Sequence, residues 1–160
     1  MLRLVKKSDL ETIFTIYMHE AVIPYMSYEP MSIQSFIPIF NELVDSQSFL
    51  VLTGQSGIKG FCRVNRHKGR AAHVVSFATL AIAPEQIGTG LAEKFIKMLF
   101  DSLQKEGIFR VELKVEEDNP RAIAFYKKMG FLHEGTMRLA FKRSTDDHYI
   151  DHLFLGKVFK

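Results

Sequence analysis

Leu80-Ala-Ile-Ala-Pro84-Glu-Gln-Ile-Gly88-Thr-Gly90-Leu-Ala-Glu-Lys-Phe95-Ile-Lys-Met-Leu-Phe100 is the stretch on which the fold turns. It reads as the end of a buried strand, a glycine turn and an amphipathic helix. Pro84 has no N–H to give to a sheet ladder and stops the strand, while Gly88 and Gly90 leave the main chain bare and free to take positive φ. From Leu91 the apolar residues Phe95, Met98, Leu99 and Leu103 repeat at helical spacing, with Lys94, Lys97, Asp101 and Lys105 off that stripe. The first amides of a helix lack partners inside it and carry the positive end of the helix dipole, so the turn suits a pyrophosphate. A dinucleotide fingerprint would need a third glycine where Glu93 stands, and a P-loop would need Gly-Lys-Ser/Thr, which the chain does not contain.

Working outward, 160 residues fit one domain, expected over 1–160, with a core large enough to stand without staples. Hydrophobic content of 47% beside 24% charged residues is globular and excludes disorder. The net charge is +3 and the basic residues come in scattered pairs such as Lys6-Lys7 and Lys127-Lys128, which reads as solvated surface and argues against nucleic acid as the partner. The single Cys62 sits in an apolar strand and reads as a buried, inert thiol. Neither a signal peptide nor an apolar run of membrane length is visible, so a cytoplasmic protein is expected.

The rest of the chain alternates strands and helices. Leu2 to Val5 is a strand, and Ser8 with Glu11 forms a capping box for a helix to about Glu20. The aromatic segment from Ala21 to Pro30 suits either a loop over a site or a packed connector. A helix runs from about Ser32 to Asp45, with Pro38 marking a kink or its true start. Two strands, Ser48 to Thr53 and Ile58 to Asn65, are joined by the turn Gly54-Gln55-Ser56-Gly57. The apolar run from Ala71 to Ala83 is the central strand. After the glycine helix, closed by Gly107, the alternation of Phe109, Val111, Leu113 and Val115 marks another strand. Asn119 as N-cap, Pro120 at the first helical position and Gly130 beyond the end bound a helix. Phe131 to Lys142 and His148 to Phe159 make a closing hairpin. The plan is α/β with a mixed sheet.

Pro84, the run Ile87-Gly88-Thr89-Gly90-Leu91-Ala92, the run Asn119-Pro120-Arg121-Ala122-Ile123-Ala124-Phe125-Tyr126 and the following Lys127-Lys128-Met129-Gly130-Phe131 together resemble the GNAT superfamily of acyl-CoA-dependent N-acetyltransferases. The likeness extends along essentially the whole chain. It implies a mostly antiparallel central sheet of about seven strands with about four helices, splayed after the central strand. It also implies acetyl-CoA as donor, with the amides of Gly88, Thr89, Gly90, Leu91 and Ala92 on its pyrophosphate. Leu80 and Ile82 would lend main-chain groups to the pantetheine arm, Asn119 would sit beside that arm, and Tyr126 would protonate the departing thiolate. The chemistry agrees: a phenol with pKa about 10 can donate to a thiolate whose conjugate acid lies near 8.5. No metal ligands are called for.

Two positions depart from the family pattern. Ile87 replaces the usual Gln or Arg at the head of the phosphate turn, so a side-chain contact is lost while the amides stay. Ser76 stands about where some members carry a carboxylate base in the central strand, which leaves the base open among His73, Glu112 and Glu116. An α-amine with pKa near 7.7 to 8.0 is already about a tenth neutral at pH 7, whereas a lysine near 10.4 is almost wholly charged. A base-poor site therefore favours an amino acid, an aminoacyl compound or a peptide N-terminus as acceptor. The run Glu134 to Lys142 with Tyr149-Ile150-Asp151 is similar to bacterial members acting on such amines. The final hairpin could line the acceptor pocket or pair with a second subunit in a homodimer, and Phe154 and Leu155 belong to the core or to that interface. The alternative function is a coenzyme A sensor or interaction module that keeps the fold with little turnover, and a basic RNA-associated protein is a third.

Overall fold

The computed structural model describes residues 1–160. The elements are β1 (Leu2–Leu4), α1 (Leu10–Tyr17), α2 (Ile33–Asp45), β2 (Phe49–Gly54), β3 (Gly57–Arg66), β4 (Val74–Ile82), α3 (Leu91–Lys105), β5 (Arg110–Glu116), α4 (Pro120–Lys128), β6 (Leu132–Phe141) and β7 (Ile150–Val158). The seven strands form one sheet in the order β1-β2-β3-β4-β5-β7-β6. β1–β2, β2–β3, β5–β7 and β6–β7 are antiparallel, and β4–β5 is parallel. The His67 N–H donates to the Val74 carbonyl and the Ala83 N–H to the Lys59 carbonyl, so β3 and β4 also run in opposite directions.

The parallel ladder is short. It runs from Val74↔Arg110 to Phe77↔Leu113, after which β4 continues to Ile82 and β5 to Glu116. The pairing of the two strands thus ends midway along each, as the expected splay requires. The chain gathers into two compact units, Met1–Val64 with Thr79–Met98 and Asn65–Ala78 with Leu99–Lys160.

In the first unit α1 buries Ile13, Ile16 and Tyr17, one face of a short helix, and α2 buries Phe36, Phe40 and Leu43. Tyr17 stacks on Phe61 with ring centroids 5.8 Å apart and contacts Phe36 at 5.4 Å. Burial pushes the Tyr17 phenol up to about 12. The front of α1 departs from the expected Ser8 capping box. A 3-10 turn over Lys7–Asp9 precedes the helix, and Asp9 Oδ2 accepts the Lys6 N–H at 2.8 Å, a role its ion pair with Arg3 holds in place. The helix ends at Tyr17 rather than Glu20. α2 starts at Ile33, capped by Ser32 Oγ accepting the Ser35 N–H at 3.2 Å, so Pro38 lies inside it and does not mark its start. Val22, Ile23 and Met26 of the aromatic segment are buried in this core, so the segment is packed, while its Tyr25 and Tyr28 rings stay exposed. Cys62 is fully buried and its thiol is pushed up in pKa by that burial.

In the second unit Phe100 packs on Phe77 at 6.4 Å, on Phe131 at 6.0 Å and edge-on to Phe159 at 5.2 Å. Across α3 the buried residues are Phe95, Ile96, Leu99, Phe100 and Leu103, while Met98 is exposed. The buried stripe is thus turned slightly from the expected one, because Ile96 and Phe100 take the flank assigned to Met98. Leu155 is buried and Phe154 half-buried, and β6 carries Leu132, Met137 and Leu139 exposed at the outer edge of the sheet.

Candidate active site

The glycine turn lies in the first unit. A 3-10 turn over Pro84–Gln86 follows β4, and the Gln86 and Ile87 amides are taken by the Ala83 and Pro84 carbonyls at 2.8 and 3.1 Å. Gly88 and Gly90 then take φ of 83° and 81°, left-handed values that glycine adopts without a Cβ penalty. A Cβ built on either meets nothing within 4 Å. The main chain there is bare on an open side, and α3 starts at the next residue, Leu91. Such a donor set can cradle a phosphate. Thr89 is partly committed: its N–H and its hydroxyl both donate to the Gln86 carbonyl, at 3.3 and 2.7 Å. Leu91 and Ala92 form the first turn of α3 and are half-buried. Upstream, Leu80 is half-buried and Ile82 buried near the end of β4, beyond the last β5 pairing at Phe77.

Asn119 and Tyr126 lie in the second unit. Asn119 Oδ1 accepts the Ala122 N–H at 3.1 Å and caps α4, with Pro120 at the first helical position. Seven residues on, about two helical turns, Tyr126 shares its face of α4. Its ring lies edge-on to Phe125 at 5.4 Å and to Phe131 at 5.5 Å.

The three base candidates fall in different settings. His73 precedes β4, exposed, and its carbonyl accepts the Phe109 and Arg110 amides at 2.9 and 3.2 Å, which puts it at the start of β5, about 20 Å along the strand from Glu116. Glu112 is directly paired with Ser76, whose hydroxyl donates to Glu112 Oε1 at 3.1 Å. Its other oxygen takes the Arg110 Nε–H at 3.2 Å, and His67 Nε2 lies 2.8 Å from the Ser76 oxygen. Arg110 in turn forks onto Glu134, which raises its pKa and lowers that of Glu134. Glu112 is therefore tied into a charge network. Glu116 is buried at the end of β5, its carbonyl accepting the Asn119 N–H at 3.0 Å, and desolvation raises its carboxyl pKa.

One group escaped the sequence reading. His152 on β7 is directly paired with Glu116, 36 residues away in the chain, and burial and the nearby Lys114 lower its imidazole pKa. Strand alternation gives no hint of that register, which only the folded sheet shows.

A mostly antiparallel sheet with one parallel pair that parts midway, followed by a glycine turn on a helix N-terminus, is the architecture of the coenzyme A-dependent acyltransferase class the motifs resemble. The sequence profile of the acetyltransferase (GNAT) family matches residues 10–131, and the chain belongs to that family. N-alpha-acetyltransferase 30 of Schizosaccharomyces pombe is 29% identical over 85 residues, 53% of this chain and 56% of that protein. The [ribosomal protein bS18]-alanine N-acetyltransferase of Escherichia coli is 34% identical over 67 residues, 42% of this chain and 45% of that protein. The chain thus spans about half the length of these curated relatives. In fold it is similar to the Vibrio cholerae spermidine N-acetyltransferase solved with CoA and spermine, at TM-score 0.82 and 21% identity over 99% of this chain and 94% of that one. No helix is long and apolar enough to cross a membrane.

Proposed function

We propose that residues 1–160 act as a single N-acetyltransferase domain that moves the acetyl group of acetyl-CoA to a primary α-amine by direct attack. The acceptors favoured are an amino acid, an aminoacyl compound or a peptide N-terminus. The observation that carries the reading is the positive-φ pair Gly88 and Gly90 at the head of α3, in a chain of this family. The amides of Gly88, Thr89, Gly90, Leu91 and Ala92 hold the coenzyme pyrophosphate, with the Thr89 amide shared with Gln86. Leu80 and Ile82 give main-chain groups to the pantetheine arm. Asn119 spends its oxygen on the Ala122 amide, so its NH2 end is the part offered to that arm. Acetyl-CoA supplies an activated thioester, and Tyr126 gives its phenolic proton to the sulfur as it leaves.

Direct attack is supported by Cys62, whose burial and raised pKa keep it a thiol, unfit to carry an acyl group. The α-amine is supported by Ser76 in the central strand and by the commitment of Glu112 to Arg110. These leave only weakly basic groups such as Glu116 to take a proton, which suffices for an amine already about a tenth neutral at pH 7. The N-alpha- and alanine-acetyltransferase names of the two curated relatives point the same way.

The test is thiol release from acetyl-CoA against free amino acids, aminoacyl amides, polyamines and a lysine peptide. Turnover on α-amines supports the reading. Preference for the lysine peptide or polyamines would overturn the α-amine choice, and silence with every amine, despite calorimetric binding of coenzyme A, would favour a sensor.

A further inference from the structure

Glu116 and His152 face each other across the β5–β7 ladder, and directly paired residues send their side chains to one face of a sheet. His152 Nε2 stands 3.8 Å from Glu116 Oε1, with the two side chains only 17% and 12% exposed. That separation is beyond a hydrogen bond, and Nε2 is shielded from solvent with no hydrogen-bond partner. A buried nitrogen in that state is costly, and a strand built for stability alone would carry an apolar residue there.

With Glu116 ionised and the imidazole neutral and protonated at Nδ1, two acceptors face each other across this gap. An ionised carboxylate only accepts, and so does the bare nitrogen of a neutral imidazole. One added proton turns the repelling pair into a bonded one.

We propose that Glu116 and His152 are the proton acceptor for the substrate amine: Glu116 takes a proton from the substrate ammonium, and its carboxyl O–H then donates to His152 Nε2. This rests on the transferase reading above. The placement suits it, because Glu116 lies three residues past Leu113, where the β4 ladder ends, and its carbonyl holds the Asn119 amide at the root of α4, which carries Tyr126.

In the reaction an N–H bond of the ammonium breaks and an O–H bond forms on Glu116. The freed nitrogen lone pair makes the N–C bond to the acetyl carbonyl, the C–S bond breaks, and the sulfur takes its proton from Tyr126 Oη. The second proton shed by the nitrogen restores the phenol. The net proton leaves from the Glu116–His152 pair, and no oxidant or reductant enters. Glu116 is the catalytic residue, and His152 positions and stabilises its protonated form.

The surroundings favour sharing. Burial raises Glu116 and lowers His152, which moves the two proton affinities toward one another. Asp118 adds to the rise of Glu116 and Arg143 opposes it, while Arg143 is itself engaged by Asp118 at 2.8 Å and Asp146 at 3.2 Å. Lys114 disfavours charge on His152, whose other neighbour is the Phe141 ring at 5.4 Å.

The test is NMR titration of the His152 ring nitrogens and the Glu116 carboxyl carbon in the free protein, with pH profiles of kcat/KM and coenzyme A calorimetry on wild type, Glu116→Gln and His152→Phe. The expected result is that the two groups titrate in shared steps, which Glu116→Gln abolishes. Glu116→Gln should lower kcat/KM about 100-fold and His152→Phe about 10-fold, the latter shifting the acidic limb to lower pH, with coenzyme A affinity held. Independent titration of the two groups overturns the pairing. A Glu116→Gln variant within about threefold of wild type, with the same pH profile, overturns the catalytic role. If wild type turns over no amine, the transferase reading and the catalytic role fall together, and the shared titration alone still supports the pair as a proton-holding site.

Discussion

Tyr126 meets Phe131 edge-on, the ring centroids 5.5 Å apart and the planes 70° to one another. Phe131 is itself buried against Phe100 at 6.0 Å, so the Tyr126 ring leans on a fixed partner. Tyr126→Phe keeps that contact and the one with Phe125, removing only the hydroxyl. If the hydroxyl protonates the leaving sulfur, kcat should fall about 10²- to 10⁴-fold while coenzyme A binds as before. Pre-steady-state thiol release and calorimetry read the two quantities separately. A kcat within about threefold of wild type would remove Tyr126 from the chemistry.

Gly88 and Gly90 should tolerate alanine poorly for two separable reasons. Their φ values of 83° and 81° cost an L-residue about 1–2 kcal/mol each, which lowers stability. Their open side is also where the cradle would receive the pyrophosphate, so a methyl group there should weaken coenzyme A binding about tenfold, the loss of roughly one contact worth 1.4 kcal/mol. Gly107→Ala supplies the control. Gly107 has φ of 81° and equally open space just past the far end of α3. It should lose the same stability and none of the affinity, and equal affinities in all three variants would place the pyrophosphate elsewhere.

The elements framed by local chemistry were legible in the sequence. Asn119-Pro120 and Gly130 bracket α4 because a side-chain oxygen, a missing N–H and a positive φ act within one turn. Gly88 and Gly90 are of the same kind. What escaped depends on partners far along the chain. Asp9 displaces Ser8 at the front of α1 because Arg3 of β1 grips it, and Met98 is exposed because Ile96 and Phe100 find the core first. The Glu116–His152 pair requires β7 to lie between β5 and β6, an order that chain sequence does not give. Positions fixed within one turn can thus be read early, and pairs joined by sheet register cannot.

Gly60 is held to glycine by proximity rather than by φ. A Cβ at this position of β3 would stand 2.7 Å from the Ala81 carbonyl oxygen and 2.9 Å from Ile82 Cδ1. The oxygen belongs to the main chain of β4 and cannot swing aside, so Gly60→Ala must move a strand or strain both. Overpacking of this sort costs about 1–3 kcal/mol. Thermal unfolding should show a Tm drop of several degrees, whereas Gly135→Ala, where nothing lies within 4 Å of the built Cβ, should stay near wild type. Equal Tm values for the two variants would mean that β3 and β4 have slack at this crossing.

Asp9 gives the fold a pH dependence of definite sign. Arg3 forks onto it, Nη1 to Oδ2 at 2.7 Å and Nη2 to Oδ1 at 2.9 Å, and the Lys6 amide adds a third bond at 2.8 Å. The Arg3 hydrogen bonds hold the Asp9 carboxyl below its usual range against the opposing effect of burial. Because the folded value lies under the unfolded one, near 3.9, the native state gains from ionised Asp9 above that pH, and the gain disappears as pH falls through the folded value. Asp9→Asn should therefore cost about 1.5–3 kcal/mol at pH 7, the range for hydrogen bonds to a charged group. Its stability curve should converge on wild type as the acid limb is entered, because protonated aspartate and asparagine then present Arg3 with the same neutral partner. Denaturant titrations at pH 7, 5 and 3 measure the gap, and a gap that stays constant across the three would show that Asp9 acts through shape and not through charge.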